Sequence, residues 1–198
     1  MVPPPFAWLS GPIFWAVYLW AFIPEMRILR RARREARRED SQDSGSLKIM
    51  TVSLTTALVL AFPLAFVDRW SFAYGTRGQR AFIIGLLLIV LGSLIRRLCW
   101  RTLGEYFTGD LQARSDQPVI RAGPYRLVRH PSYTGGILMC VGIGLALCNW
   151  LSLGLLALTA IATYACRVRV EERVLLETIG EPYRIYMQGS KRFIPYVI

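Results

Sequence analysis

Apolar and polar positions fall into long blocks, not the short alternations of a soluble fold. Residues 6–23 form a first uncharged block, with Trp8, Trp15, Tyr18 and Trp20 spread along it. Residues 49–67 form a second, with Pro63 as a point of kinking, and residues 81–95 a shorter third. A span needs roughly 20 apolar residues to cover a hydrocarbon core of about 30 Å, so each block predicts one crossing, the third with help from its flanks.

The fourth block decides the architecture. Residues 131–166 are 36 positions without one charge. As a single helix they would reach about 54 Å at about 1.5 Å per residue, too long for one crossing. Near the middle stands Cys148-Asn149-Trp150, a polar residue followed by an interfacial aromatic. The pattern predicts a tight helical hairpin with its tip at Asn149 and arms of about 17 residues. The competing reading is one tilted helix with an amphipathic extension. The expected fold is therefore all-α and integral to the membrane, with about five transmembrane helices, the last two a hairpin. It is one polytopic domain over 1–198, in which 1–95 supply three spans and 96–198 the chemistry.

Charge then fixes an orientation. Residues 27–48 carry eight Lys and Arg, residues 96–129 seven, and the stretch from Arg167 onward six; only Arg69, Arg77 and Arg80 lie between the second and third spans. With five crossings the three rich segments share one side. The positive-inside rule makes that side cytoplasmic and puts the N-terminus outside. The net charge of +11 then calls for no nucleic acid. The arginine run after the first span reads as a helical extension, with Arg31 and Glu35 at i,i+4 spacing. It serves as a topology signal or as a binder of anionic lipid head groups.

Composition agrees: 54% of residues are apolar and 19% charged, against about 45–50% and about 25% in soluble domains. Cys99, Cys140, Cys148 and Cys166 form no C-x-x-C pair and read as small apolar residues, not as metal ligands or disulfides. No metal site is expected, and no small-residue cleavage site marks the first block as a signal peptide.

Polar residues that a membrane surface does not explain gather in two stretches, 123–136 and 167–195, which are the two ends of the hairpin. If the hairpin returns to the side it left, they meet. In the first stretch His130 precedes a proline and is pushed toward extended backbone, and Pro131 suits the first helical position. The helix start at Ser132 and Tyr133, with Arg129 and His130, favours a bound anionic group; a plain interfacial helix start with snorkelling arginines is the other reading. In the second stretch Arg167 and Glu171 are four apart and Arg169 and Glu172 three apart, which allows simple ion pairs. Alternatively the two acids face a cation or ribose hydroxyls. Tyr183 and Tyr186 follow, as interfacial anchors or ligand contacts. Phosphate-loop, G-x-G-x-x-G, H-E-x-x-H and G-x-S-x-G motifs are absent, so any cofactor binds at helix ends and loops.

The ordered set Gly123-Pro124-Tyr125, Arg129-His130-Pro131-Ser132-Tyr133 with Gly135, an apolar hairpin, Glu171-Glu172, Gly180-Glu181, Tyr183, Tyr186 and Pro195 resembles the isoprenylcysteine carboxyl methyltransferase family. That family lies within a wider group of integral-membrane methyltransferases that includes phospholipid N-methyltransferases. The likeness covers about residues 100–198. It implies S-adenosyl-L-methionine as cofactor, bound without a Rossmann fold by the loop before the hairpin and the helix after it. Carried over residue by residue, it implies cofactor contacts at Tyr125, His130, Pro131, Ser132, Tyr133 and Glu171. The stretch containing Gln117, Val119 and Ile120 stands in place of a cofactor loop, and Gln112 stands for a family glutamine. Arg167 falls where the family puts an arginine near the substrate carboxylate. Glu172, or His130, becomes the deprotonating group if the acceptor is an amine or thiol. The implied reaction is methyl transfer at the cytoplasmic face to a lipophilic or prenylated substrate, with membrane lipids as the surroundings. A phospholipid amine and a small lipophilic thiol or alcohol are alternative acceptors, and a non-catalytic lipid- or partner-binding protein is the alternative of another class. Oligomeric state is left open.

Overall fold

A computed structural model describes residues 2–35, 45–73, 75–104 and 117–193, with the side chains of 28, 29 and 31–35 left aside. The regular elements among the described residues are all helices, and the only sheet-like pairings among them are two isolated bridges. In chain order the helices are α1 (Ser10–Glu35), α2 (Ser46–Leu64), α3 (Gly75–Leu103), α4 (Pro131–Ala146), α5 (Trp150–Ile179) and α6 (Glu181–Gly189). A short 3₁₀ turn, Gly123–Arg126, leads toward α4.

Among the described residues three helices, α2, α3 and α5, are long and apolar enough to cross a membrane, and α4 is a shorter apolar helix of 16 residues. Such a helix reaches about 24 Å. In α1 the indole and phenol rings, Pro12, Pro24 and Glu25 dilute the apolar stretch. The chain is an all-α integral membrane protein. The predicted pair at Arg31 and Glu35 lies outside the described side chains.

The hairpin forms with its tip at Asn149. Cys148 adopts φ 52°, a left-handed turn residue that reverses the chain. The fully buried Asn149 caps α5: its Oδ1 accepts from the amides of Leu151 at 2.9 Å and Ser152 at 3.3 Å, while Nδ2 donates to Val67 O at 3.0 Å. The arms are unequal. α4 ends at Ala146, whereas α5 runs 30 residues without a break, through the charge boundary at Arg167 and on to Ile179. Charge marks where the apolar stretch ends, and the helix stops only where Gly180 takes φ 74°, ψ −131°, backbone that a side chain disfavours.

Close helix packing places α4. Against α3, a Cβ on Gly85 would stand 2.5 Å from Gly142 O, and one on Gly92 2.4 Å from Gly135 O. Both members of each contact are glycines, so the backbones touch, as small residues permit in membrane helix pairs. Facing these contacts is a core of Phe14, Ala57, Ala61, Ile89, Met139, Ile143, Leu147, Leu156 and Ala160.

Candidate functional site

The site is built where the flanks of the hairpin meet. His130 N-caps α4 with extended φ, and Pro131 occupies the first helical position, as its fixed φ and missing N–H favour. The backbone here is held from the other flank: Arg129 N donates to Lys191 O at 2.7 Å and His130 N to Arg192 O at 3.0 Å, while Thr134 Oγ1 donates to Phe193 O at 2.8 Å. Residues 190–193 therefore lie along 127–130 as a second wall.

Glu172 is the hub of that junction. Its Oε1 accepts from Arg129 Nε at 3.0 Å and lies 3.4 Å from His130 Nε2; its Oε2 accepts from Arg192 Nε at 3.0 Å and Nη2 at 2.8 Å. Burial alone would raise its pKa, but the hydrogen bonds from His130, Arg192 and Arg129 outweigh that and lower it from 4.5 to about 2. Arg129 also donates to Met187 O at 2.9 Å and to Ser190 O, closing the C-terminal end of α6.

Beside it on α5, Glu171 faces differently. Its Oε2 accepts from Tyr133 Oη at 2.7 Å and lies 3.8 Å from His130 Nδ1, and its side chain keeps 25% of its exposure. Tyr133 stacks between the rings of His130, at 5.7 Å, and Tyr164, at 5.0 Å. Arg167, buried on the same face of α5, neighbours Tyr133 and donates to Ser46 Oγ at the start of α2. Burial pushes the Tyr125 phenol up, with Cys99 and Glu171 adding to the effect, so Tyr125 stays a hydroxyl donor at neutral pH. Tyr186 Oη donates to Tyr125 O at 2.6 Å and ties α6 to the turn before α4.

The structure thus brings Tyr125, His130, Pro131, Ser132, Tyr133, Arg167, Glu171 and Glu172 to one end of the bundle. Gln117, Val119 and Ile120 are half-buried in extended chain beside α6, where the next residue, Arg121, donates to Pro182 O and covers the Tyr186 ring. Gln112 and Pro195 lie outside the described residues. Instead of the ion pairs that spacing allows within α5, the acids take partners on other elements: Glu172 turns to Arg129 and Arg192, and Glu171 to Tyr133 and His130. Long-range partners brought by the fold outcompete weak exposed i,i+3 and i,i+4 pairs.

Sequence reasoning missed four contributors. Arg96 of α3 donates from Nη1 to Ser132 O and Oγ, 3.0 Å each, and pairs with Glu25 of α1. Tyr164 and Ser46 complete the surround of Tyr133 and Arg167. A signal existed: Glu25 is the first acid of the chain, Arg96 is the first charge after the third apolar block, and Tyr164 stands seven residues, two helical turns, before Glu171.

The chemistry at this junction is that of a site for a polar, mixed-charge ligand. Glu171 offers a partly exposed carboxylate, Tyr125 and Tyr133 aromatic faces, and Arg167 with the start of α4 positive potential.

Comparison with known proteins agrees with that region. The model of the isoprenylcysteine carboxyl methyltransferase (ICMT) family matches residues 84–177. The protein-S-isoprenylcysteine O-methyltransferase of Saccharomyces cerevisiae is 31% identical over 134 residues, which are 67% of this chain and 56% of that protein. The probable protein-S-isoprenylcysteine O-methyltransferase of Oryza sativa subsp. japonica is 32% identical over 116 residues, 58% of this chain and 61% of that protein. The chain therefore spans less than two thirds of the length of these curated relatives. The solved structure of the eukaryotic intramembrane Ras methyltransferase ICMT aligns with a TM-score of 0.63 and 27% identity, over 72% of this chain and 52% of that one.

Proposed function

With residues 84–177 matching the model of the isoprenylcysteine carboxyl methyltransferase family, we propose that this chain is a membrane methyltransferase that esterifies the carboxylate of a prenylated cysteine, using S-adenosyl-L-methionine. The observation that carries the reading is the convergence of His130, Ser132 and Tyr133 at the start of α4 with Arg167 and Glu171 on α5.

The residues fit the donor. Glu171 suits ribose hydroxyls or a cationic centre, the rings of Tyr125 and Tyr133 suit adenine and the sulfonium, and the start of α4 with His130 suits an amino-acid carboxylate. Pro131 fixes that helix start, and Gln117, Val119 and Ile120 supply backbone groups along the mouth. When bound, S-adenosyl-L-methionine supplies an electrophilic methyl group. The chain's own work is orientation. Arg167 holds the acceptor carboxylate through paired hydrogen bonds, and the apolar faces of α4 and α5 receive the prenyl tail. Positioning of this kind is worth about 7–11 kcal/mol.

A carboxylate acceptor is ionised at neutral pH and needs no strong base. That matches Glu172, whose charge is committed to Arg129, Arg192 and His130 and which serves the site as its structural hub, leaving amine and thiol acceptors without an obvious base. By the positive-inside rule this reading takes this end of the bundle as the cytoplasmic face and the N-terminus as outside, with α1 and α4 as the remaining two of five crossings. In this reading residues 1–198 act as one domain.

Calorimetry in detergent tests the donor, with S-adenosylmethionine and its demethylated product as ligands. Micromolar-range binding is expected, weakened by Glu171→Ala. Arg167→Ala should instead impair transfer to a farnesylated N-acetylcysteine. Folded protein that binds neither ligand would end the proposal, and equal loss of donor binding in both variants would overturn the two roles.

A further inference from the structure

Helix α1 precedes the segment matched by the family, which begins at residue 84, yet it reaches the wall of the site. Glu25 follows Pro24 in α1, and its Oε2 accepts from Arg96 Nη2. The other terminal nitrogen of that guanidinium donates to both the carbonyl and the hydroxyl of Ser132, each at 3.0 Å. Ser132 lies in the first turn of α4, between His130 and Tyr133. The side chains of Arg96 and Glu25 keep only 17% and 16% of their exposure. Space for the arginine stem is left by Gly135, where a Cβ would stand 2.8 Å from Arg96 Cγ.

Each link constrains the next. A largely buried guanidinium without a counter-charge turns toward water. Glu25 neutralises it and, because the guanidinium is planar, fixes the plane from which the second nitrogen addresses Ser132. The contact to Ser132 O acts on the backbone, so the pose of Arg96 sets where the first turn of α4 stands. His130 and Tyr133 flank that residue, and Tyr133 meets Glu171.

We propose that Glu25 is a positioning residue for methyl transfer, acting through Arg96 on the first turn of α4. The inference rests on the function proposed above, and its test separates the two. The full chain in nanodiscs is compared with Glu25→Gln and Glu25→Asp by methyl transfer from S-adenosylmethionine to a farnesylated N-acetylcysteine, and by hydrogen exchange.

Glu25→Gln is expected to lower kcat by about tenfold to a hundredfold, the scale of a small misplacement, with KM for either substrate moved less than about threefold. Exchange at the amides of 132–135 should rise about tenfold while that of 147–152 stays constant, with Glu25→Asp restoring most of the protection; these are about the changes a lost charged hydrogen bond gives. An unchanged kcat, or a uniform rise in exchange across α2 and α5, would overturn the proposal. If the parent chain methylates nothing, the proposed function fails, and exchange at 132–135 alone decides: protection in Glu25→Gln equal to the parent's refutes positioning. Should Glu25→Gln not fold, Arg96→Lys, which keeps a charge for Glu25 but not the planar fork, takes its place in the same exchange comparison: loss of protection at 132–135 supports positioning, and protection equal to the parent's refutes it.

Discussion

The seam between α3 and α4 makes a sharp prediction through Gly142. A Cβ there would stand 2.6 Å from Gly85 O and 2.9 Å from Ile89 N, both backbone atoms on the facing helix. An ordinary contact begins near 3.4 Å, so Gly142→Ala is about 0.8 Å short of room. No rotamer change relieves a clash between Cβ and backbone; the helices must part or tilt. Opening a packed seam by 0.5–1 Å forfeits about a quarter to a half of each dispersion contact along it, and the Gly92–Gly135 contact two turns away opens with it. The overpacking cost should sit toward the upper part of the usual range of about 1–3 kcal/mol. For a chain of this size about 1 kcal/mol moves Tm by about 2–4 °C, so thermal unfolding in detergent should fall by roughly 5–10 °C. Gly154→Ala is the control, since nothing lies within 4 Å of its Cβ position. It should leave Tm unchanged or raise it slightly, alanine being favoured in a helix by about 1 kcal/mol. If Gly142→Ala unfolds within 1 °C of Gly154→Ala by this assay, the close-packing argument fails.

The remaining predictions concern polar anchors. Glu172, lowered from 4.5 to about 2, contributes stability that is fully present above about pH 4.5 and lost as pH falls toward 2. Melting between pH 2 and 7 should therefore show a steep acid limb in the parent, while Glu172→Gln should melt lower at neutral pH with a shallower limb; superimposable limbs would refute the assignment. Asn149→Ala removes the cap of α5 and strands Val67 O, and should cost about 2–3 kcal/mol in denaturant unfolding. A loss under about 0.5 kcal/mol would show that water replaces the cap.

Much of the frame was legible because membrane patterning is coarse. The uncharged run of residues 131–166 was too long for one crossing, and Asn149 was its natural break; the fold turns there. The meeting of the flanks followed from the same count. What was not legible was what happens past the membrane edge. Charge at Arg167 suggested a boundary, but helical hydrogen bonding continues through charged residues, and only Gly180 stops it. Spacing left Glu171 and Glu172 open to pairs within their own helix or to a ligand, because sequence does not show tertiary neighbours. Their partners, Tyr133, Arg129 and Arg192, lie 38, 43 and 20 positions away. Arg96 and Glu25 stand at the ends of apolar blocks, but spacing along the chain does not show two helix ends facing one serine.

Arg192 has a consequence for biosynthesis. The groups around Glu172 leave the ribosome in the order Arg129, His130, Glu172, Arg192, and the last emerges 20 residues after the carboxylate it meets. A nascent chain that has not reached that point has all the helices described above synthesised and a hub still lacking one cation. The junction therefore closes only after residues 191–193 have been made, because Arg192 and the carbonyls of Lys191, Arg192 and Phe193 are the last of its partners to emerge.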